Sequence, residues 1–272
     1  MGKVFSWEEI RGHRVPRLTD FSIVAEHIRK RLTACESVVG GILCGSVIWK
    51  NHTQRSDIDC VVLYDPKYTR KIMEVFQELH RLAFSLHVPL ELMPLDMGIA
   101  KTRLHHIGFS FADHLGYAMN NGGIIKENPM PFLNFDGFDS AEEVRGYLRN
   151  KLRNIEKGIS AFSAMEGNEL HRFLQKVLEA PINIARKILW LHGVEMPNDS
   201  KLEVSRHYPN VATPRAVELF EGIIGVDHRY TKELLSQLQN SEEPNYSEMI
   251  EAIKEIAFDT LEFVGLNALR LA

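Results

Sequence analysis

The chain has little cysteine: Cys35, Cys44 and Cys60 are all it carries in 272 residues. No two of them form a CxxC pair, and Cys44 and Cys60 sit inside apolar runs, so the three read as small buried hydrophobes rather than metal ligands or disulfide partners. Long apolar runs are also missing. None approaches the ~20 residues that a bilayer-crossing helix needs, and the opening MGKVFSWEEIRGHR lacks the apolar core of a signal peptide. The expectation is a cytoplasmic protein with no membrane partner. There is no internal repeat and no low-complexity tract. An excess of positive charge is absent too. The net charge is −4; residues 1–132 hold 16 Lys+Arg against 14 Asp+Glu, and residues 133–272 hold 16 against 22. Nucleic-acid backbones are held by basic stripes, so nucleic acid is disfavoured as a partner. An acidic second half suits a cationic small molecule, although solvated helix faces produce the same imbalance.

What is present is periodicity. Residues 20–34 space apolar groups as a helix does, with Thr19 or Asp20 available as a cap. Residues 37–44 read as a buried strand closed by Gly45, and a short helix could start at Ser46. Ile58 to Tyr64 is a second strand, stopped by Asp65-Pro66. Residues 67–86 form an amphipathic helix. Leu90 to Met93 predicts a short strand with limited pairing, because Pro89 and Pro94 flank it. A helix over 109–119, an Asn-Asn-Gly-Gly turn and a short strand at 124–126 follow.

Proline, asparagine and glycine then cluster in NPMPFLNFDGF, residues 128–138. Beyond it everything reads as helix: 140–164, 168–193 with Pro181 expected to kink or split it, 213–224, 228–238 and 248–271. The fold class is therefore α+β: an α/β domain with a small mixed sheet over residues 1–130, followed by an all-helical bundle over 131–272.

The chemistry concentrates in Gly41 to Tyr64. Asp57 and Asp59 alternate along a strand and so leave the same face. Two carboxylates together repel and lose hydration, a difficulty that a divalent cation removes. A strand ending in Gly45 lets backbone approach a phosphate, and a helix starting at Ser46 would offer N–H groups and a hydroxyl to its oxygens. Glu91, between Leu90 and Leu92 on the next strand after a helical crossover, adds a third carboxylate. Three such groups could hold two metals ~3.5–4 Å apart, an arrangement suited to in-line displacement on a nucleoside triphosphate. Each piece has an ordinary alternative: Gly-Ser is a common turn, Asp-x-Asp a solvated strand end, a lone Glu an exposed residue. Their order along the chain makes the combination specific.

Gly45-Ser46, the spacer, Asp57-Ile58-Asp59 and the later Glu91 resemble the nucleotidyltransferase superfamily that includes DNA polymerase beta, within it the kanamycin (aminoglycoside) nucleotidyltransferase-like branch. The resemblance covers roughly residues 36–96, and the helical half is similar in architecture only. It implies transfer of a nucleoside monophosphate, from ATP by expectation, to a hydroxyl of a small molecule such as an aminoglycoside-like compound, with pyrophosphate released. It further implies Asp57, Asp59 and Glu91 as catalytic ligands of two Mg²⁺ ions, and Gly45 and Ser46 as triphosphate contacts. Where drug-modifying relatives show a small residue, an arginine and a glycine, this chain has Val47-Ile48-Trp49-Lys50, which leaves Lys50, Arg55 and Ser56 as substitute nucleotide contacts. Glu142 and Glu143 are candidates for an acceptor-side base, but a helix start favours Glu on dipole grounds alone. Oligomeric state stays open, a homodimer included. A second reading is a non-catalytic nucleotide-binding regulator or antitoxin-like module that binds a protein through its helical half.

His105, His106 and His114 carry no zinc-site spacing and read as surface or loop residues. Trp49, Phe132, Phe135 and Trp190 could line a pocket, with core packing as the default.

Overall fold

A computed structural model describes residues 3, 5, 7–165, 167–194, 201–240 and 246–271. Its elements are α1 (Trp7–Arg11), α2 (Leu18–Thr33), β1 (Val38–Cys44), β2 (Ile58–Tyr64), α3 (Thr69–Ser85), β3 (Leu90–Asp96), α4 (Met97–Ala100), α5 (Phe109–Asn120), β4 (Ile124–Ile125), α6 (Ser140–Ser160), α7 (Gly167–Leu191), α8 (Lys201–His207), α9 (Pro214–Asn240) and α10 (Tyr246–Leu271). The fold is α+β with a small mixed sheet. The chain divides into two compact units: Arg14–Phe138, and Asp139–Ala272 together with Gly2–His13. Every strand lies in the first unit. Among the described residues no helix is long and apolar enough to cross a membrane.

The sheet runs in the order β3-β2-β1-β4. β1 is antiparallel to β2 and β4, whereas β2 and β3 are parallel, as the α3 crossover between them requires. Each face is covered, so β1 and β2 are apolar almost throughout instead of alternating with polar residues. On one face Leu43, Cys60 and Val62 pack with Phe21 and Ile28 of α2 and with Ile72 and Leu79 of α3. On the other, Ile42, Cys44, Val61 and Leu63 pack with Leu115 and Ala118 of α5. Val38 has the same parity as Ile42 yet belongs to the first face. A register shift between Val38 and Gly40 accounts for this, since one extra residue turns the strand over.

Several expectations are corrected. β3 is not a short strand ending at Met93. It pairs with β2 over seven residues and contains Pro94. The proline is tolerated because β3 is an edge strand, where a missing N–H need not break a ladder. No helix starts at Ser46. Residues 46–50 form successive turns, with Ile48 N bonded to Gly45 O (3.1 Å) and Asn51 N to Ser46 O (3.1 Å), between left-handed residues at Gly45 and Lys50. The helix over 18–33, α2, is capped from within: Arg17 N donates to Asp20 Oδ2 at 2.8 Å.

The second unit is helical throughout its described elements, and its core joins Leu148 and Ile155 of α6, Ile184 and Ile188 of α7, Phe220 of α9 and Phe263 of α10. Tyr208 is buried there and donates to Asn267 Oδ1 at 2.9 Å, while burial pushes its hydroxyl up to about 12. α7 continues through Pro181 without a break, because Ala180, Pro181 and Ile182 are all buried and packing outweighs the lost backbone bond. The two helices expected over 213–238 are one, α9. Val226 and Asp227 are buried beside Gly225, and Asp227 accepts from Lys201 at 3.2 Å, which carries the helix across the glycine.

Candidate functional site

The site lies where β1 ends and β2 and β3 begin. Asp59, the second residue of β2, is paired with Cys44 on one side and with Glu91 on the other. Paired residues on neighbouring strands lie about 4.8 Å apart in the hydrogen-bonding direction and point the same way. Asp59 alternates with Val61 and Leu63, so it shares their face, the one α5 covers farther along. Asp57 precedes the strand on the same parity. Asp57 and Asp59 are half-buried and Glu91 is exposed at the edge of the sheet.

The three carboxylates report on one another through Cys44. Burial raises this thiol well above its ordinary range, and the charges of Asp59, Cys60, Asp57 and Glu91 raise it further. All three acids are thus close enough to act on the same buried sulfur. Cys44, Cys60 and Cys35 are buried free thiols.

Gly45 opens the loop that follows. Its φ of +84° is left-handed, and a Cβ there would stand 3.4 Å from Asp59 Oδ2. That is ordinary contact, so the glycine answers to backbone conformation rather than to lack of space. It also sets the loop backbone directly beside the carboxylate. Next to it, the Ser46 hydroxyl is covered by protein and has no hydrogen-bond partner among the described residues.

The other candidates differ. Lys50 is exposed. Arg55 is 3 % exposed, and its backbone N–H donates to Thr53 Oγ1 at 3.3 Å. Ser56 is buried and its hydroxyl accepts from Thr53 N at 2.9 Å, which makes it a turn-holding residue in this conformation.

Among the described residues no group of three or more His, Cys, Asp or Glu side chains is gathered tightly enough to cage a metal unaided. Mg²⁺ does not need such a cage, because it binds through one or two carboxylates and takes water and phosphate oxygens for the rest. Two acids in register, a third beside them and an unsatisfied hydroxyl at the adjoining loop fit a metal that arrives with a phosphate.

No protein-family model, curated protein or solved structure matches the chain. The site is therefore read on its own chemistry.

Of the remaining side chains, His105 corrects its expectation. It is 6 % exposed, is bonded through Nε2 to Asn134 O at 2.8 Å, and stacks on Phe138 with ring centres 5.6 Å apart. His106 is exposed. His114 meets Trp49 edge-on at 5.1 Å, which seats the Ser46 loop against α5. Phe132 and Phe135 pack against the α5-side core, and Trp190 against the helical core. Glu142 is tied to Arg145 at 3.1 Å and Glu143 to Lys187 at 3.1 Å, so both sit in ion pairs at the head of α6. The sequence reading missed the register of Asp59 with Glu91 and the role of Cys44 between the acids. The signal available was the helical crossover between two apolar strands, but register is a property of the sheet.

Proposed function

We propose that this chain is a Mg²⁺-dependent nucleotidyltransferase, moving a nucleoside monophosphate from a triphosphate to a hydroxyl of a small molecule and releasing pyrophosphate. The observation that carries the reading is the direct pairing of Asp59 with Glu91 on parallel neighbouring strands, with Asp57 on the same face. Asp57, Asp59 and Glu91 would hold the metal. When bound, the metal would supply charge neutralisation for the triphosphate and activation of the attacking hydroxyl. The chain's own part is to hold the acids together, to bring the Gly45 backbone close, and to offer Ser46 Oγ to a phosphate oxygen. A rotation about Cα–Cβ is enough to turn that hydroxyl toward a ligand. ATP is the expected donor, and the acidic second half favours a cationic acceptor such as an aminoglycoside-like compound.

The test mixes the protein with Mg²⁺, each of the four nucleoside triphosphates and a panel of hydroxylated amines, and follows pyrophosphate release. Release should require metal and acceptor, and Asp57→Asn should abolish it. Equal release by Asp57→Asn would overturn the metal assignment. Nucleotide binding without release under any acceptor would favour a regulatory module instead.

A further inference from the structure

The helical unit contains a second cluster of charged groups that the strand-end site does not use. α6 and α7 are joined by a short connection and pack side by side, so residues one turn apart on each meet along a seam. Glu143 faces Lys187 at 3.1 Å. Next along α6, Tyr147 is hydrogen-bonded to Asn183 and feels the charges of Arg186 and Glu179. Next again, Lys151 lies within reach of the charges of Glu179 and Lys176. Two ammonium groups approach the Tyr147 ring, Lys187 Nζ at 4.9 Å and Lys151 Nζ at 5.3 Å from its centre.

The charges on this seam do not balance. Lys151, Lys176, Arg186 and Lys187 stand against Glu143 and Glu179, an excess of two positive charges. The excess occurs in the half of the chain that is acidic as a whole. Glu143 is matched to Lys187, and Glu179 accepts from Gln175 at 2.8 Å. Lys151 is half-buried, yet among the described residues no carboxylate lies within ion-pair distance of it. Burial lowers the affinity of both lysines for their protons, and Lys176 lowers that of Lys151 further. An ammonium that loses hydration without gaining a counter-charge is a standing cost to the fold, and a bound anion removes it.

We propose that the α6–α7 seam binds a doubly charged, phosphate-bearing anion, held by Lys151 and Arg186 beside the Tyr147 ring. A dianion neutralises the excess of two, whereas a monocarboxylate leaves half of it. An ammonium and a guanidinium together suit phosphate oxygens, the one as a point charge and the other as a fork. This site lies wholly within the helical unit and does not depend on the nucleotidyltransferase reading.

The experiment titrates the full-length protein with pyrophosphate, inorganic phosphate and adenosine monophosphate in EDTA at constant ionic strength, by calorimetry, with acetate as the monoanion control. Binding should weaken about tenfold or more in Lys151→Gln, the loss expected for one charge-assisted hydrogen bond. Lys151→Arg should retain it, and so should Asp57→Asn. Pyrophosphate and adenosine monophosphate distinguish a free anion from a phosphate ester as the natural ligand. A parallel measurement needs no variant: acylation by an amine-reactive reagent, read by mass spectrometry, should mark Lys151 faster than exposed Lys30, and pyrophosphate should slow Lys151 several-fold but not Lys30. Acetate binding as tightly as pyrophosphate would overturn the proposal. So would dependence on Asp57 rather than Lys151, or labelling of Lys151 that pyrophosphate leaves unchanged.

Discussion

Replacing Ser46 by alanine removes a hydroxyl that is covered by protein and bonded to nothing among the described residues. A buried hydroxyl without a partner costs about 1–3 kcal/mol relative to one that is satisfied or absent. Alanine keeps Cβ and the turn, whose backbone bonds from Ile48 N to Gly45 O and from Asn51 N to Ser46 O do not involve the side chain. Removing the oxygen also forfeits its dispersion attraction to the atoms around it, a smaller opposing effect. The free protein should therefore gain about 1 kcal/mol, or roughly 2–6 °C in Tm for a unit of this size. Ligand binding should move the other way. If Ser46 Oγ meets a phosphate oxygen, its loss removes a hydrogen bond to a charged group, about 1.5–3 kcal/mol, and weakens triphosphate binding roughly 10–150-fold. The assay is thermal unfolding of parent and Ser46→Ala, each with and without triphosphate and Mg²⁺. The variant should start higher and shift less, because stabilisation by a ligand scales with its affinity for the native state. A variant less stable than the parent without ligand would refute the unsatisfied-hydroxyl argument. An undiminished ligand shift would refute the phosphate contact.

Two further outcomes test the fold itself. A Cβ at Gly158 would fall 1.7 Å from Phe173 Cε2 against a buried ring, so Gly158→Ala should destabilise the helical unit by about 1–3 kcal/mol, read by urea denaturation; a neutral result would mean that α6 and α7 pack less tightly there than this spacing requires. Asp139 accepts from Glu142 N at 3.0 Å at the start of α6, and this bond, helped by Arg145, holds its carboxyl below the usual range. A depressed native value gives stability that is present above about pH 4, the unfolded value, and lost as pH falls through the native one. Asp139→Ala should therefore lower Tm at neutral pH, and the gap should close near pH 2; a gap that persists there would show that the cap is not its source.

Much of the architecture was written in local patterns. The strands at 38–44 and 58–64 and the helices at 18–33, 69–85, 140–160 and 246–271 stand where apolar spacing and the Asp65-Pro66 stop put them. Departures fell where packing overrode a local signal. Pro94 and Pro181 are strong breakers in isolation, but one lies on an edge strand and the other within a buried helix, and each element ran through. Ser46 looked like a helix start because glycine preceded it. Left-handed backbone at both Gly45 and Lys50 and the seating of Trp49 on His114 closed the segment into turns instead. His105 read as a loop residue because nothing nearby in sequence announces Phe135 and Phe138 as its neighbours.

By itself the sequence determined the identity and order of the chemical groups: Gly45 and Ser46 at a strand end, Asp57 and Asp59 on one face of the next strand, Glu91 beyond a helical crossover. Side-chain alternation along a strand is a local rule, so the shared face of Asp57 and Asp59 needed no tertiary information. Which residue stands opposite Asp59 is not local, because register is set by the whole sheet and a slip of one residue turns every side chain over. The tertiary structure decided that Glu91 and Cys44 flank Asp59, that the Ser46 hydroxyl is left unsatisfied beside them, and that Lys151 reaches the Tyr147 ring without a carboxylate of its own among the described residues. These facts depend on what burial removes from water, and burial is a property of the packed chain.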